Sequence, residues 1–297
     1  MMRSFLVRRG GYALVITAVL CMPRAADAQG GSGRGPSGPM RQAAQLDLEG
    51  KTTEARAIFQ AMIDSAGDPA AKAEAQRAMA MSYAFDGDCA NTLKYEQLVI
   101  DYWKTREQAE PQNAFYQEGE MADEGARVCI DAGDVAAAEQ WYRKGYELGT
   151  KEPAPQAHPK SLWDFRLAHA LGRVAARRGD VAEAKRQIAA ARAALDGDSA
   201  MAAQQERFFP YLTGYVALYT NDLPAAERDF TKAINQRGNQ RDPFMHCLLA
   251  MTYKKMGRGS DAQAMYRQAY DMARAHNPPA AFVVPYVRKQ LGPSVPR

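Results

Sequence analysis

Histidine and cysteine each occur only four times in 297 residues, and tryptophan three times. His158, His169, His246 and His276 are scattered, and no pair falls at the short spacing of a metal site. His246 and Cys247 are neighbours in a helical stretch and so point in different directions. There is no Gly-x-Ser-x-Gly elbow, no Walker loop and no His-Glu-x-x-His pair. The sequence therefore names no catalytic residue, metal ligand or cofactor, and the expectation is a protein that is not an enzyme. Asn-x-Ser/Thr is also missing, which favours a bacterial envelope over a eukaryotic secretory route. Long apolar runs are lacking beyond the N-terminus, and β-branched runs are rare, so propensity favours helix.

The one apolar run, residues 12–22, follows a basic start and precedes Ala26-Asp27-Ala28. This is the pattern of a signal peptide over residues 1–28, cleaved near Ala28. The run is short for a bilayer span, so no stable membrane span is expected after cleavage; retention as an anchor is the alternative. Cleavage removes Arg3, Arg8, Arg9, Arg24 and Asp27, and the formal charge falls from +4 to +1. The basicity is then largely a targeting signal, and nothing supports nucleic-acid binding. The expected location is periplasmic or secreted. Residues 29–39, rich in Gly, Ser and Pro, read as a flexible linker.

After the linker the chain repeats itself. Turn residues recur at Gly50, Gly87, Gly133, Gly179, Asn221 and Gly257, spaced by 37, 46, 46, 42 and 36. Seven residues before each stands a small residue: Ala43, Ala80, Ala126, Gly172, Gly214 and Ala250. Five after stand Ala55, Thr92, Ala138, Ala184, Ala226 and Ala262, and nine after stand Phe59, Glu96, Tyr142, Ile188, Phe230 and Tyr266. Small residues let two antiparallel helices approach, and the large residue fills the gap between them. A left-handed turn residue ends the first helix, and Thr52, Asp88, Asp134, Asp180, Asp222 or Ser260 caps the second. Repeats of this length indicate a solenoid.

These offsets resemble the tetratricopeptide repeat superfamily over residues 38–279. The last unit fits best, with Leu249-Ala250, Tyr253, Gly257, Ala262, Tyr266, Ala269 and prolines at 278–279. The resemblance implies an all-α, right-handed solenoid of about six helical hairpins over residues 40–279. A capping helix, bent at Pro285, and a tail would occupy 280–297, and residues 149–161 would form a longer connection. It also implies that the first helix of each unit lines a concave groove that binds a protein or peptide segment. Unit four would present Arg166, His169, Arg173 and Arg177 there, unit five Phe208, Tyr211, Tyr215 and Tyr219, and unit six Phe244, Cys247, Met251, Lys254 and Lys255. Basic and aromatic stripes side by side suit an anionic, partly apolar segment, while Glu120 and Asp123 make the earlier units more acidic. The bland alternative is that these stripes are core and solvated face.

In such a solenoid Cys89 opens one helix where Cys129 ends its neighbour. The pair would form a disulfide in an oxidising compartment or stay as two small buried thiols, and Cys247 has no evident mate. The favoured function is a non-enzymatic interaction scaffold in the envelope, with a pocketed small-ligand binder or envelope enzyme, and a self-assembling component, as alternatives. Arg178-Gly179-Asp180, an adhesion tripeptide in other settings, falls in register with the turns and is read here as a helix end, turn and cap.

Overall fold

The computed structural model describes residues 38–275 and 281–292. The expected signal peptide, most of the linker, the prolines at 278–279 and the extreme C-terminal tail lie outside the described residues. The described residues form fourteen α-helices and no strand.

Twelve of the helices make six hairpins. These are α1 (Gly38–Glu49) with α2 (Thr52–Asp64), α3 (Pro69–Phe85) with α4 (Cys89–Lys104), and α5 (Pro111–Ala132) with α6 (Val135–Gly149). They continue as α7 (Lys160–Arg178) with α8 (Val181–Gly197), α10 (Phe209–Tyr219) with α11 (Leu223–Ile234), and α12 (Pro243–Lys255) with α13 (Gly259–Ala275). The short α9 (Ser199–Gln205) intervenes before unit five, and α14 (Val283–Leu291) ends the stack. Apart from the short α9, past which α10 packs on α7 and α8, each helix packs on the next in the chain, giving an all-α solenoid like that of tetratricopeptide repeats.

The repeat register is the register of the core. Ala43, Ala80, Ala126 and Ala250 are fully buried, and Gly172 and Gly214 occupy the same position in their units. A Cβ on Gly214 would crowd the Phe230 ring at 3.0 Å, so glycine there sets how closely α10 and α11 approach. Phe59, Tyr142, Phe230 and Tyr266 are buried plugs, whereas Ile188 is half-buried. All six turn residues have positive φ, including the non-glycine Asn221 at 66°. Asp88, Asp134, Asp180 and Asp222 each accept a bond from the backbone N–H three residues on, at 2.9–3.2 Å.

Several local expectations need correction. Thr52 does not cap α2; its hydroxyl donates to the Asp86 carboxylate at 3.0 Å, tying the first two hairpins together. Ser260 lies inside the first turn of α13 rather than before it. The plug position of unit two holds Glu96, fully buried, whose carboxylate oxygens have no hydrogen-bond partner. Burial, helped by the nearby Glu124, pushes its carboxyl well above the usual range. Residues 198–208 add α9 and a 3-10 turn, with Asp198 capping α9 through Met201 N–H at 3.0 Å.

The solenoid closes on itself. Leu48 of α1 and Ala84 and Phe85 of α3 share one buried cluster with α12, α13 and α14 residues, among them Cys247, Tyr270, Val283, Val284 and Val287. Arg288 Nη2 donates to the backbone carbonyl of Leu48, 240 residues away, and Arg288 Nε donates to Tyr270 Oη at 3.2 Å. The carbonyls in the last turn of a helix have no intrahelical donor and carry the negative end of its dipole, so a guanidinium suits the end of α1.

Candidate partner-binding face

The inner face is built by the first helices of successive units. On α7, residues 166, 169, 173 and 177 recur every three or four positions and fall on one side. Their surroundings differ sharply. Arg166 is ion-paired to Glu120 of α5 and donates to Tyr116 Oη at 3.2 Å. His169 is 8 % exposed, with its ring centroid 5.2 Å from that of Tyr211. Burial, reinforced by the charge of Arg173, holds its imidazole well below the usual range, so it is neutral. Arg173, 5 % exposed, donates to Tyr142 Oη at 3.1 Å and lies 5.3–5.9 Å from the ring centroids of Tyr142, Tyr211 and Tyr215. Arg177 donates to Tyr215 Oη at 3.3 Å and lies over the Tyr219 ring at 4.9 Å.

α10 supplies the facing aromatics. Tyr211, Tyr215 and Tyr219 form a ladder with centroid spacings of 6.2 and 4.6 Å. Tyr215 is only 2 % exposed, while Tyr211 and Tyr219 are half-buried. Phe208 is displaced from this ladder: it lies in the 3-10 turn preceding α10, under the Arg207 guanidinium. On α12, Cys247 is fully buried, Phe244 and Met251 are half-buried, and Lys254 and Lys255 are exposed. Lys254 reaches Gln290 of α14 at 2.5 Å.

Between units three and six the inner face narrows to a crevice, which reaches solvent at the exposed Arg127. Arg127, Asp131, Arg173, Tyr211, Tyr215, Phe244 and Leu248, from α5, α7, α10 and α12, and Phe282, just before α14, line this crevice, whose free volume is about 10 Å³, room for about one water. His169, Arg173 and Tyr215, expected as groove contacts, are closed off from a partner in this arrangement. The basic stripe also meets an acidic one. α5 brings Glu120, Asp123, Glu124 and Asp131 to the interior, and Arg77 binds Glu124 at 2.7 Å. Burial raises Asp123 to about 7, with Glu120 adding to it and Arg166, Arg127 and Arg173 opposing. Asp131 is raised to about 6 by burial, against the pull of Arg173, Arg177 and Arg127. Sequence reasoning placed Glu120 and Asp123 in the groove but missed Arg127 and Asp131. Their spacing of four on α5 carried that signal.

Cys89 and Cys129 are joined in a disulfide, with Cα atoms 4.8 Å apart. It links the start of α4 to the end of α5 within the core of units two and three. Cys247 is a free, buried thiol. In the connection from α6 to α7, the buried Glu152 carboxylate accepts from His158 N–H at 3.2 Å and meets His158 Nδ1 at 3.0 Å. The His158 ring stacks on Tyr116 at 4.0 Å, which orders the loop beside Arg166. Arg178 pairs with Glu139, Gly179 is the left-handed turn and Asp180 caps α8, so the tripeptide is folded into a hairpin. Among the described residues no group of three or more His, Cys, Asp or Glu side chains is arranged to hold a metal. None of the described helices is long and apolar enough to cross a membrane.

This architecture has a counterpart among known repeats. Residues 245–276 match the tetratricopeptide repeat family. The match covers the last hairpin, the unit whose residues fit the repeat pattern most closely. No curated protein matches the sequence. Among solved structures, the crystal structure of the yeast Tom70 is similar at 11 % identity and a TM-score of 0.27, over 90 % of this chain and 68 % of that one. A likeness at that level carries no information about partners.

Proposed function

We propose that this chain is a non-enzymatic interaction scaffold of the cell envelope, which takes a segment of a partner protein on the inner face of units four to six. The observation that carries the reading is Arg173. A guanidinium buried to this degree costs several kcal/mol to desolvate, and here no carboxylate forms an ion pair with it among the described residues. Tyr142 accepts from it, the rings of Tyr211 and Tyr215 face it, and the charge of Asp131 acts on it without direct pairing, so a leucine would pack there at less cost. Departures of this kind from local stability rules concentrate at functional sites. Arg177 and Tyr219 continue this surface to where it is accessible, with Met251 in the cluster of Tyr219, and this combination suits a segment bearing carboxylates and apolar side chains.

Export is supported by the N-terminal signal pattern and by the Cys89–Cys129 disulfide, which suits an oxidising compartment. The crevice, with room for a single water, gives no support to a small-ligand pocket. The test is crosslinking in the native envelope to identify the partner, followed by titration of purified protein. Arg177→Ala with Tyr219→Ala, both half-buried, should weaken binding at least about tenfold without loss of helix content. Unchanged affinity would place the contact elsewhere.

A further inference from the structure

We propose that α14 is an autoinhibitory latch: the inner face is masked in the free chain, and the solenoid opens at the seam between α1 and α14 to admit a partner segment. This rests on the inner-face reading given above and adds how access to that face is controlled.

Three observations converge on the seam. First, Arg173 and Tyr215 are buried, and the crevice beside them has room for about one water; it reaches solvent at Arg127, which is exposed, but is too narrow there for a peptide segment to reach the two side chains. Second, one wall of that crevice is Phe282, at the start of α14. It stacks on Tyr286 at 5.3 Å and faces Phe244 of α12 at 6.4 Å, so a movement of α14 uncovers the interior from the C-terminal side. Third, the closure is not chain-connected. Between hairpins, adjacent helices are held by short turns and continuous packing. Across the seam, α1 and α3 offer Leu48, Ala84 and Phe85 to the cluster under α14, Arg288 donates to the Leu48 carbonyl, and Arg274 of α13 acts on the Glu49 carboxylate at the end of α1. Sub-global openings begin where few apolar contacts and few hydrogen bonds cross a boundary. α14 itself is amphipathic: Val283, Val284 and Val287 face the cluster, while Lys289 is exposed. It is thus able to leave without dismantling any of the six hairpins.

Cys247 reports on this event directly. It is fully buried within the cluster beneath α14, and Cys89 and Cys129 are silent because they are bonded to each other. In a Cys21→Ser chain, Cys247 is the sole reactive thiol. Its labelling by a disulfide reagent then measures exposure of the cluster. The Arg288 bond is charge-assisted, so Arg288→Ala is expected to raise the labelling rate by roughly tenfold or more, with Arg288→Lys staying closer to the parent. Urea unfolding followed by circular dichroism should show the hairpins still intact. In the parent chain, labelling at low urea should depend only weakly on denaturant, because opening the seam exposes far less surface than unfolding. An unchanged rate in Arg288→Ala overturns the latch. So does a labelling rate that follows the full urea dependence of global unfolding. Neither readout involves a partner, so a failed latch leaves the inner-face reading standing, and a failed partner titration leaves the latch standing.

Discussion

Asp47 offers a quantitative test of how the first hairpins are held. It is 3 % exposed, sits one residue before the seam residue Leu48, and accepts a hydrogen bond from Ser82 Oγ at 2.7 Å. Burial raises its carboxyl from 3.8 to about 7, against the pull of the Ser82 bond and of Arg56. Because the folded state holds the proton more tightly than the unfolded chain, stability is undiminished below about pH 4. It is lost progressively as pH rises to about 7, and the full penalty persists above that. A displacement of this size corresponds to about 4 kcal/mol at most. Asn resembles the protonated acid: its carbonyl still accepts from Ser82, and its amide carries no charge. Asp47→Asn should therefore be more stable than the parent at pH 8, by roughly 2–4 kcal/mol, and equal to it near pH 4. For a chain of this size that is about 5–10 °C in Tm at pH 8. Urea titrations at both pH values, followed by far-ultraviolet circular dichroism, measure the difference. Equal stability at pH 8, or a gain of the same size at pH 4, would refute the reasoning that burial of this carboxylate opposes folding.

Other consequences are as direct. Replacing both Cys89 and Cys129 by serine opens a loop of 40 residues, and stability should fall by about 4 kcal/mol in the chain-entropy view. An unreduced parent that unfolds at the same urea concentration as the double variant would contradict this. Trp163, 1 % exposed, is wedged between glycines of α5 and α6, and a Cβ at Gly119 or Gly149 would overlap its ring. Gly149→Ala should cost about 1–3 kcal/mol by overpacking, and Trp163→Ala about 3–5 kcal/mol by leaving a cavity, both readable in thermal melts. A melt unchanged by Gly149→Ala would mean that the ring is not held there.

The hairpins were legible in the sequence because each is local. A turn residue, a small residue seven before it and an alanine five after it are fixed by the contact of two neighbouring helices, and so they recur. The aspartate caps were legible for the same reason. Thr52 and Ser260 misled because a hydroxyl at a helix start has other uses, and Thr52 found Asp86. Asp198 and Ser199 carried a cap signal for α9 that the repeat spacing obscured. What pattern could not supply was the curvature. The meeting of Leu48 with Arg288 sums small rotations over 240 residues, and no local spacing encodes it. Arg173 is buried for a nearer reason: Tyr142 of α6 and Tyr211 and Tyr215 of α10, from the hairpins on either side, surround its guanidinium, and turn spacing does not encode which side chains meet there. The pairing of Arg166 with Glu120 likewise depends on which face of α5 turns inward beside α7.

A distance across the seam between α1 and α14 measures its closure directly. Lys51 and Lys289 are exposed on either side of the seam, next to the end of α1 and to Arg288. Spin labels on Lys51→Cys and Lys289→Cys, in a chain lacking Cys21 and Cys247, give the distance across it by double electron–electron resonance. One narrow, short distance is expected in the free chain, with a longer population appearing when Arg288→Ala is added. A broad, long distribution without that substitution would contradict the closure.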